Sequence, residues 1–303
     1  GNRLMMTTDW GVFYSDDQGD TWDERINGAA NTVGSDISIS DDGTIFAAAM
    51  DNGLLVSTDG GSTYRCAFPQ QGYSPERNGH VWRVAVSPDD QDHVIATSSP
   101  WSQRVNQVIV SSDGGRSFTV VRSGLPVKRP HINTVWKEGY ARALAIDPQR
   151  PDMVYLGIDG DDGGGLYVSR DRGFNWESSP IQPPSCRIYN GLAVDPTIPD
   201  RVYWGACGNG GGLFISERRD RPWTRAPLKV RNVFDIAVDA EGTVYVAGEH
   251  EGPVVYRSDD SGKSWKMLAR FPGTGAAEAI WIHPDDSSLI CASTVLWHGY
   301  AGG

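Results

Sequence analysis

One eight-residue pattern, written six times, constrains this chain more than any other feature of its sequence. The copies are "SDDQGDTW" at 15–22, "STDGGSTY" at 57–64, "SSDGGRSF" at 111–118, "SRDRGFNW" at 169–176, "SERRDRPW" at 216–223 and "SDDSGKSW" at 258–265. Their first serines lie 42, 54, 58, 47 and 42 residues apart. A period of that size marks a chain assembled from repeated supersecondary units, each too small to bury its own apolar surface.

The same strands recur around each copy. An apolar stretch ending in Asp-Pro or similar comes first ("VAVSP", "LAIDP", "LAVDP", "IAVDA"), and a second follows after a short turn ("TIFAAA", "HVIATS", "MVYLGI", "RVYWGA", "TVYVAG"). A third leads into the octet ("GLLVS", "VIVSS", "GLYVS", "GLFIS", "VVYRS"), and a fourth begins at its closing aromatic. Four short strands per repeat, punctuated by Gly, Asp and Pro, describe a propeller blade. The pattern predicts an all-β fold: a β-propeller of four-stranded antiparallel blades over a single domain, 1–303. Six blades are expected, the alternative being seven with an incomplete last blade. In the six-blade reading 279–283 completes the N-terminal blade, and Leu289–Thr294 competes with 3–8 for the place beside it. The loser becomes a spare strand, and an unpaired edge is a template for association.

Each octet reads as the hairpin between the third and fourth strands. Its Asp accepts hydrogen bonds from the turn's own backbone, its Gly takes a positive φ, and its closing ring packs against apolar neighbours. These roles fall on Asp17, Asp59, Asp113, Asp171 and Asp260, and on Trp22, Trp176, Trp223 and Trp265. The fifth copy carries Arg218 and Asp220 in place of Asp and Gly yet keeps Trp223. The pattern Ser-x-Asp-x-Gly-x-Thr-Trp resembles the Asp-box (bacterial neuraminidase repeat) of sialidases and related β-propellers. The resemblance implies a structural octet on the face opposite the usual ligand site.

Composition narrows the partners. A formal charge of −11 works against nucleic acid, whose phosphates need a basic face. No apolar run approaches the ~20 residues of a membrane span, so no membrane insertion is expected. Arg218, Arg219, Arg221 and Arg225 read as a solvated turn. Of the four cysteines, Cys186 and Cys207 flank two adjacent expected strands and are the pair a disulfide would join. No cofactor is expected; calcium is the alternative, through Asp159, Asp161 and Asp162 in the acidic turn "DGDDGGG".

Long loops carrying aromatic and charged residues are the candidate ligand sites, because loops on a rigid scaffold bear function. They supply Trp101, Arg104, His131, Trp136, Tyr140 and Tyr189. Glycoside hydrolysis generally needs two carboxyl groups at a set separation, and the candidate catalytic acids are Asp9, Asp235 and Glu278, with Asp36, Glu138 and Glu249 also placed to face a channel or its rim. The Arg-Ile-Pro motif of sialidases is absent. The stretch "MMTTDWGVFY" is similar to the Thr-Asp-x-Gly-Gly segment of xyloglucan-active two-propeller glycosidases, which implies a catalytic role for Asp9; "MDNGLL" at 50–55 shows that Asp before Gly also recurs here without that role. The expectation is a secreted or cell-surface (extracellular or periplasmic), non-catalytic module. It binds a protein partner or carbohydrate, or self-associates through the spare C-terminal strand. The alternative is a glycoside hydrolase of sialidase-like or xyloglucan-active type.

Overall fold

A computed structural model of the chain describes residues 4–8, 11–24, 33–50, 52–70, 80–99, 106–126, 140–160, 163–218, 220–284 and 286–296. The fold is all-β, built from antiparallel blades of a β-propeller. The chain divides into two compact units. The first comprises residues 1–132, 151–153 and 169–176; the second comprises 133–150, 154–168 and 177–303.

In the first unit, β1 (Leu4–Thr8), β2 (Gly11–Ser15) and β3 (Asp23–Glu24) form a three-stranded sheet. A four-stranded sheet follows, from β4 (Gly34–Ile39), β5 (Ile45–Ala49), β6 (Gly53–Ser57) and β7 (Arg65–Phe68). Another comprises β8 (Val81–Val86), β9 (His93–Ser98), β10 (Gln107–Ser112) and β11 (Thr119–Val121). The second unit holds three four-stranded sheets. They are β12 (Tyr140–Ile146), β13 (Val154–Asp159), β14 (Gly165–Ser169) and β15 (Glu177–Ser178); β16 (Ile188–Val194), β17 (Val202–Ala206), β18 (Gly212–Ser216) and β19 (Thr224–Arg225); and β20 (Asn232–Val238), β21 (Val244–Glu249), β22 (Pro253–Ser258) and β23 (Lys266–Arg270). A hairpin of β24 (Gly275–His283) and β25 (Asp286–Leu296) completes it. Strands in every four-stranded sheet pair in sequence order.

Burial follows position in the blade. The second and third strands β5, β6, β13, β14, β17 and β18 are buried at every residue, so they read as continuous apolar runs. First strands are mixed, and the short fourth strands β3, β15 and β19 are exposed. Cores lie where sheets face each other. Phe46, Leu54 and Val56 meet Val84, Val94 and Ile109 in the first unit, and Leu213 and Ile215 meet Val233, Val246 and Tyr256 in the second.

The octets close the third-to-fourth hairpins. In "STDGGSTY", Ser57 Oγ donates to Asp59 Oδ1 (2.8 Å) and accepts from Gly61 N–H (2.9 Å), while Asp59 Oδ1 accepts from Thr63 N–H (2.9 Å). The same bonds recur at Asp17, Asp113, Asp171 and Asp260. The indole N–H groups of Trp22, Trp176 and Trp265 donate to the octet-glycine carbonyls. In the divergent copy Arg218 pairs with Asp220, and Trp223 donates to Ile181 O (3.1 Å) instead.

The contest at the C-terminus goes to Leu289–Thr294, which lies within β25 and pairs with β24 from Ala277↔Thr294 to Ile282↔Ile290. A strand joined to its partner by a tight turn closes a far shorter loop than one some 270 residues away, and so gives up less chain entropy. Ile280, Ile282, Ile290 and Ala292 then pack on Tyr245 and Val255. The expected spare strand therefore pairs with β24 from Ile290 to Thr294. All four cysteines are free thiols, so the Cys186–Cys207 bridge is not formed; Cys207 Sγ instead donates to Val233 O at 3.1 Å.

Candidate functional site

In each blade the octet and the first-to-second turn share one end. The opposite end carries the start of the first strand, the second-to-third turn and the incoming link. First strands are irregular at that end. The ladder skips Ser35 in β4, Arg142 in β12, Phe234 in β20 and Glu278 in β24, and shifts register between Val81 and Val84 and between Ile188 and Leu192. A bulge re-aims its side chain and is common beside binding sites. Sequence reading missed this feature.

In the second unit the bulge at Arg142 builds a cluster. Arg142 is buried, with its guanidinium 4.4 Å from the Tyr189 ring centroid and 5.7 Å from that of Tyr140. Asp159, at the end of β13, lies 3.9 Å from Arg142 Nε and accepts from Arg187 Nε (2.9 Å) and Ile188 N–H (3.1 Å). Burial pushes the Asp159 carboxyl above its ordinary range, against the pull of both arginines. Burial, with Asp159 nearby, pushes the Cys207 thiol up to about 12. Two guanidiniums thus meet one carboxylate beside two phenol rings. Tyr140 and Tyr189 both lie against Arg142.

The acids considered as catalysts have other partners. Asp235 is buried; its Oδ1 accepts from Ile236 N–H and its Oδ2 from Ile280 N–H, both at 3.0 Å, joining β20 to β24. Asp36 does the same in the first unit, accepting from Val84 N–H at 2.9 Å with Arg83 3.4 Å away, and burial pushes its carboxyl up. Both are clamps between neighbouring first strands. Glu278, at the β24 bulge, is half-buried two residues from the clamped Ile280. Glu249 accepts from Asn232 Nδ2. Asp9, Trp101, Arg104, His131, Trp136, Glu138, Asp161, Asp162 and Arg219 lie outside the described residues.

Sequence reading also missed a groove at this end of the second unit. It has a volume of about 480 Å³ and is lined by the 208–211 turn, Arg225, Lys229, Arg231 and His250.

No protein-family model matches the chain. The chain is similar to the oligoxyloglucan-reducing end-specific xyloglucanase of Emericella nidulans, 25% identical over 84% of this chain and 35% of that protein. It is equally similar to a probable enzyme of the same name from Neosartorya fischeri, 24% identical over 85% and 36%. The chain thus spans about a third of the length of the curated relatives it matches. Among solved structures, an ancestral GH74 enzyme superposes with a TM-score of 0.71 at 18% identity, covering 95% of this chain and 41% of the other. YCF48 from Cyanidioschyzon merolae superposes at 0.64 and 19%, covering 94% and 87%. At such identities the superpositions establish the propeller fold alone.

These similarities correct the functional expectation. A non-catalytic binding or structural module was expected, with a glycoside hydrolase as the alternative; the curated relatives are named as xyloglucanases, which favours the alternative. Among the described residues no helix is long and apolar enough to cross a membrane.

Proposed function

We propose that this propeller is a domain of an extracellular glycoside hydrolase acting on xyloglucan or its oligosaccharides. One observation carries the reading: sequence similarity to proteins named xyloglucanases extends over 84% of the chain. The octets, read as Asp-boxes, hold the blades at one end and leave the other to the substrate. Support comes from the first-strand bulges at that end, which fall at Arg142, Phe234 and Glu278.

Glycosidic cleavage pairs a carboxylic acid that protonates the leaving oxygen with a carboxylate on the other side of the bond. Asp235 and Asp36 are committed to backbone N–H groups and leave that role. Asp9, which follows β1 in the sequence, is assigned one carboxyl of the pair, as its "TTDWG" setting suggests. The partner carboxyl comes from the remainder of a protein of the relatives' length.

The test is release of reducing ends from xyloglucan oligosaccharides by the protein in its natural full-length form, followed by mass spectrometry. Asp9→Asn is expected to lower the rate about 100- to 10,000-fold, the usual cost of losing a general acid or base. Full activity in that variant would remove Asp9 from the mechanism. Failure of the unaltered protein to cleave any xyloglucan fragment would sink the hydrolase reading.

A further inference from the structure

The groove of the second unit carries a charge opposite to that of the chain. The sequence holds 38 acidic against 27 basic residues, yet Arg225, Lys229, Arg231 and His250 line the groove and none of its lining residues is acidic. This bias is built by the link between β19 and β20, "RAPLKVR". Leu228 N–H donates to Ala226 O at 2.8 Å and Val230 N–H to Leu228 O at 3.0 Å, two successive three-residue turns. They send Ala226, Leu228 and Val230 into the core, and leave Arg225, Lys229 and Arg231 exposed on the other side.

The walls are fixed before any ligand arrives. Arg225 donates to Gly211 O (2.6 Å) and lies over the Phe214 ring at 5.5 Å. Gly208 N–H donates to Asn232 Oδ1 (2.7 Å), and Arg231 N–H to Glu249 O (3.0 Å). The turn opposite the cations is Gly208, Asn209, Gly210 and Gly211, which brings backbone within reach of a ligand with little side chain in the way. The groove is shallow and open to solvent, with a volume of about 480 Å³, so a ligand there would be held by its charges more than by enclosure. The two arginines and the lysine among its lining residues suit carboxylate groups, which guanidinium binds in a bidentate fork.

We propose that this groove binds an acidic oligosaccharide, a short run of uronate residues, at the end of the blades opposite the octets. Its preference for negative charge rests on the groove itself; the saccharide part rests on the hydrolase reading.

The experiment is titration calorimetry of the chain with trigalacturonate, with cellotriose as the neutral probe and inorganic sulfate as the bare anion. Trigalacturonate is expected to bind at least about tenfold tighter than either, the scale of one charge-assisted hydrogen bond, and to weaken as NaCl is raised. Lys229→Gln and Arg231→Gln, both at exposed positions, are each expected to weaken it about tenfold. Lys263→Gln, an exposed lysine at the octet end, is expected to leave it unchanged. Equal binding of cellotriose, equal binding of sulfate, or unaltered affinity in both groove variants would each overturn the proposal. Trigalacturonate binding by a protein that cleaves no xyloglucan would uphold the groove while the hydrolase reading fell. Xyloglucan cleavage with no trigalacturonate binding would do the reverse.

Discussion

Replacing Asp235 by Asn separates a clamp from a catalyst. The carboxylate serves two backbone donors, Ile236 N–H on its own strand and Ile280 N–H on β24. An amide has one acceptor oxygen, so one N–H then faces an NH₂ group. Hydrogen bonds to charged groups contribute about 1.5–3 kcal/mol each, and relief of the buried charge offsets part of that loss. The expected cost is about 2 kcal/mol, which for a chain of this size lowers the thermal midpoint by about 4 °C. The assay pairs thermal unfolding with xyloglucan hydrolysis in Asp235→Asn, and the expected result is a less stable protein whose rate per folded molecule is unchanged. A variant as stable as the parent but slower by about 100-fold or more, the signature of a lost general acid or base, would refute the clamp.

Two further outcomes follow from the octets. Gly115 has φ +77°, and a Cβ there would lie 2.5 Å from Phe46 Cε1, whereas Gly43 at φ +84° has no neighbour within 4 Å. Gly43→Ala should cost about 1 kcal/mol of backbone strain, and Gly115→Ala at least twice as much by urea unfolding; equal costs would show that the ring simply moves aside. Asp17, Asp59, Asp113 and Asp260 have pKa values lowered from 3.8 to about 2, chiefly by the Thr or Ser hydroxyl four residues on. Their contribution is complete above the unfolded value and is lost as pH falls towards 2. Unfolding midpoints should therefore drop between about pH 4 and pH 2, and a flat profile there would contradict the assignment.

The blades were legible because their signals are local. An octet carries its own hydrogen bonds within eight residues, and strands buried on both faces write continuous apolar runs such as "IFAAA" and "VYLGID". The site was less legible because its parts depend on register between strands. Nothing in "YARALAID" marks Arg142 as the bulged residue, and nothing in "NVFDIAV" says that Asp235 reaches the backbone of a strand some 45 residues on. Asp235 and Asp36 therefore read as candidates for a channel, whereas their carboxyls also bond the backbone of the neighbouring first strand. The groove did leave a trace: in "RAPLKVR" apolar and basic residues alternate, as a link buried on one side and charged on the other must. The disulfide expected at Cys186 and Cys207 rested on strand adjacency alone, which fixes the distance between strands and not the direction of a thiol.

The distribution of charge decides which end of the blades can do chemistry. At the octet end the octet carboxylates are satisfied by hydroxyls, and others are bridged by arginine. Arg172 reaches Asp89 and Asp152 in the first unit, and Arg150 reaches Asp147 and Asp200 in the second. An acid with a pKa near 2 holds no proton near neutral pH and cannot give one to a leaving group. The other end is built differently. There burial raises Asp159 and Asp36, arginine stacks on tyrosine, and a basic groove opens beside Arg231. In the second unit the stacked arginine and the basic groove both lie at that end, so ligand binding is to be sought there, away from the octets that hold the blades together.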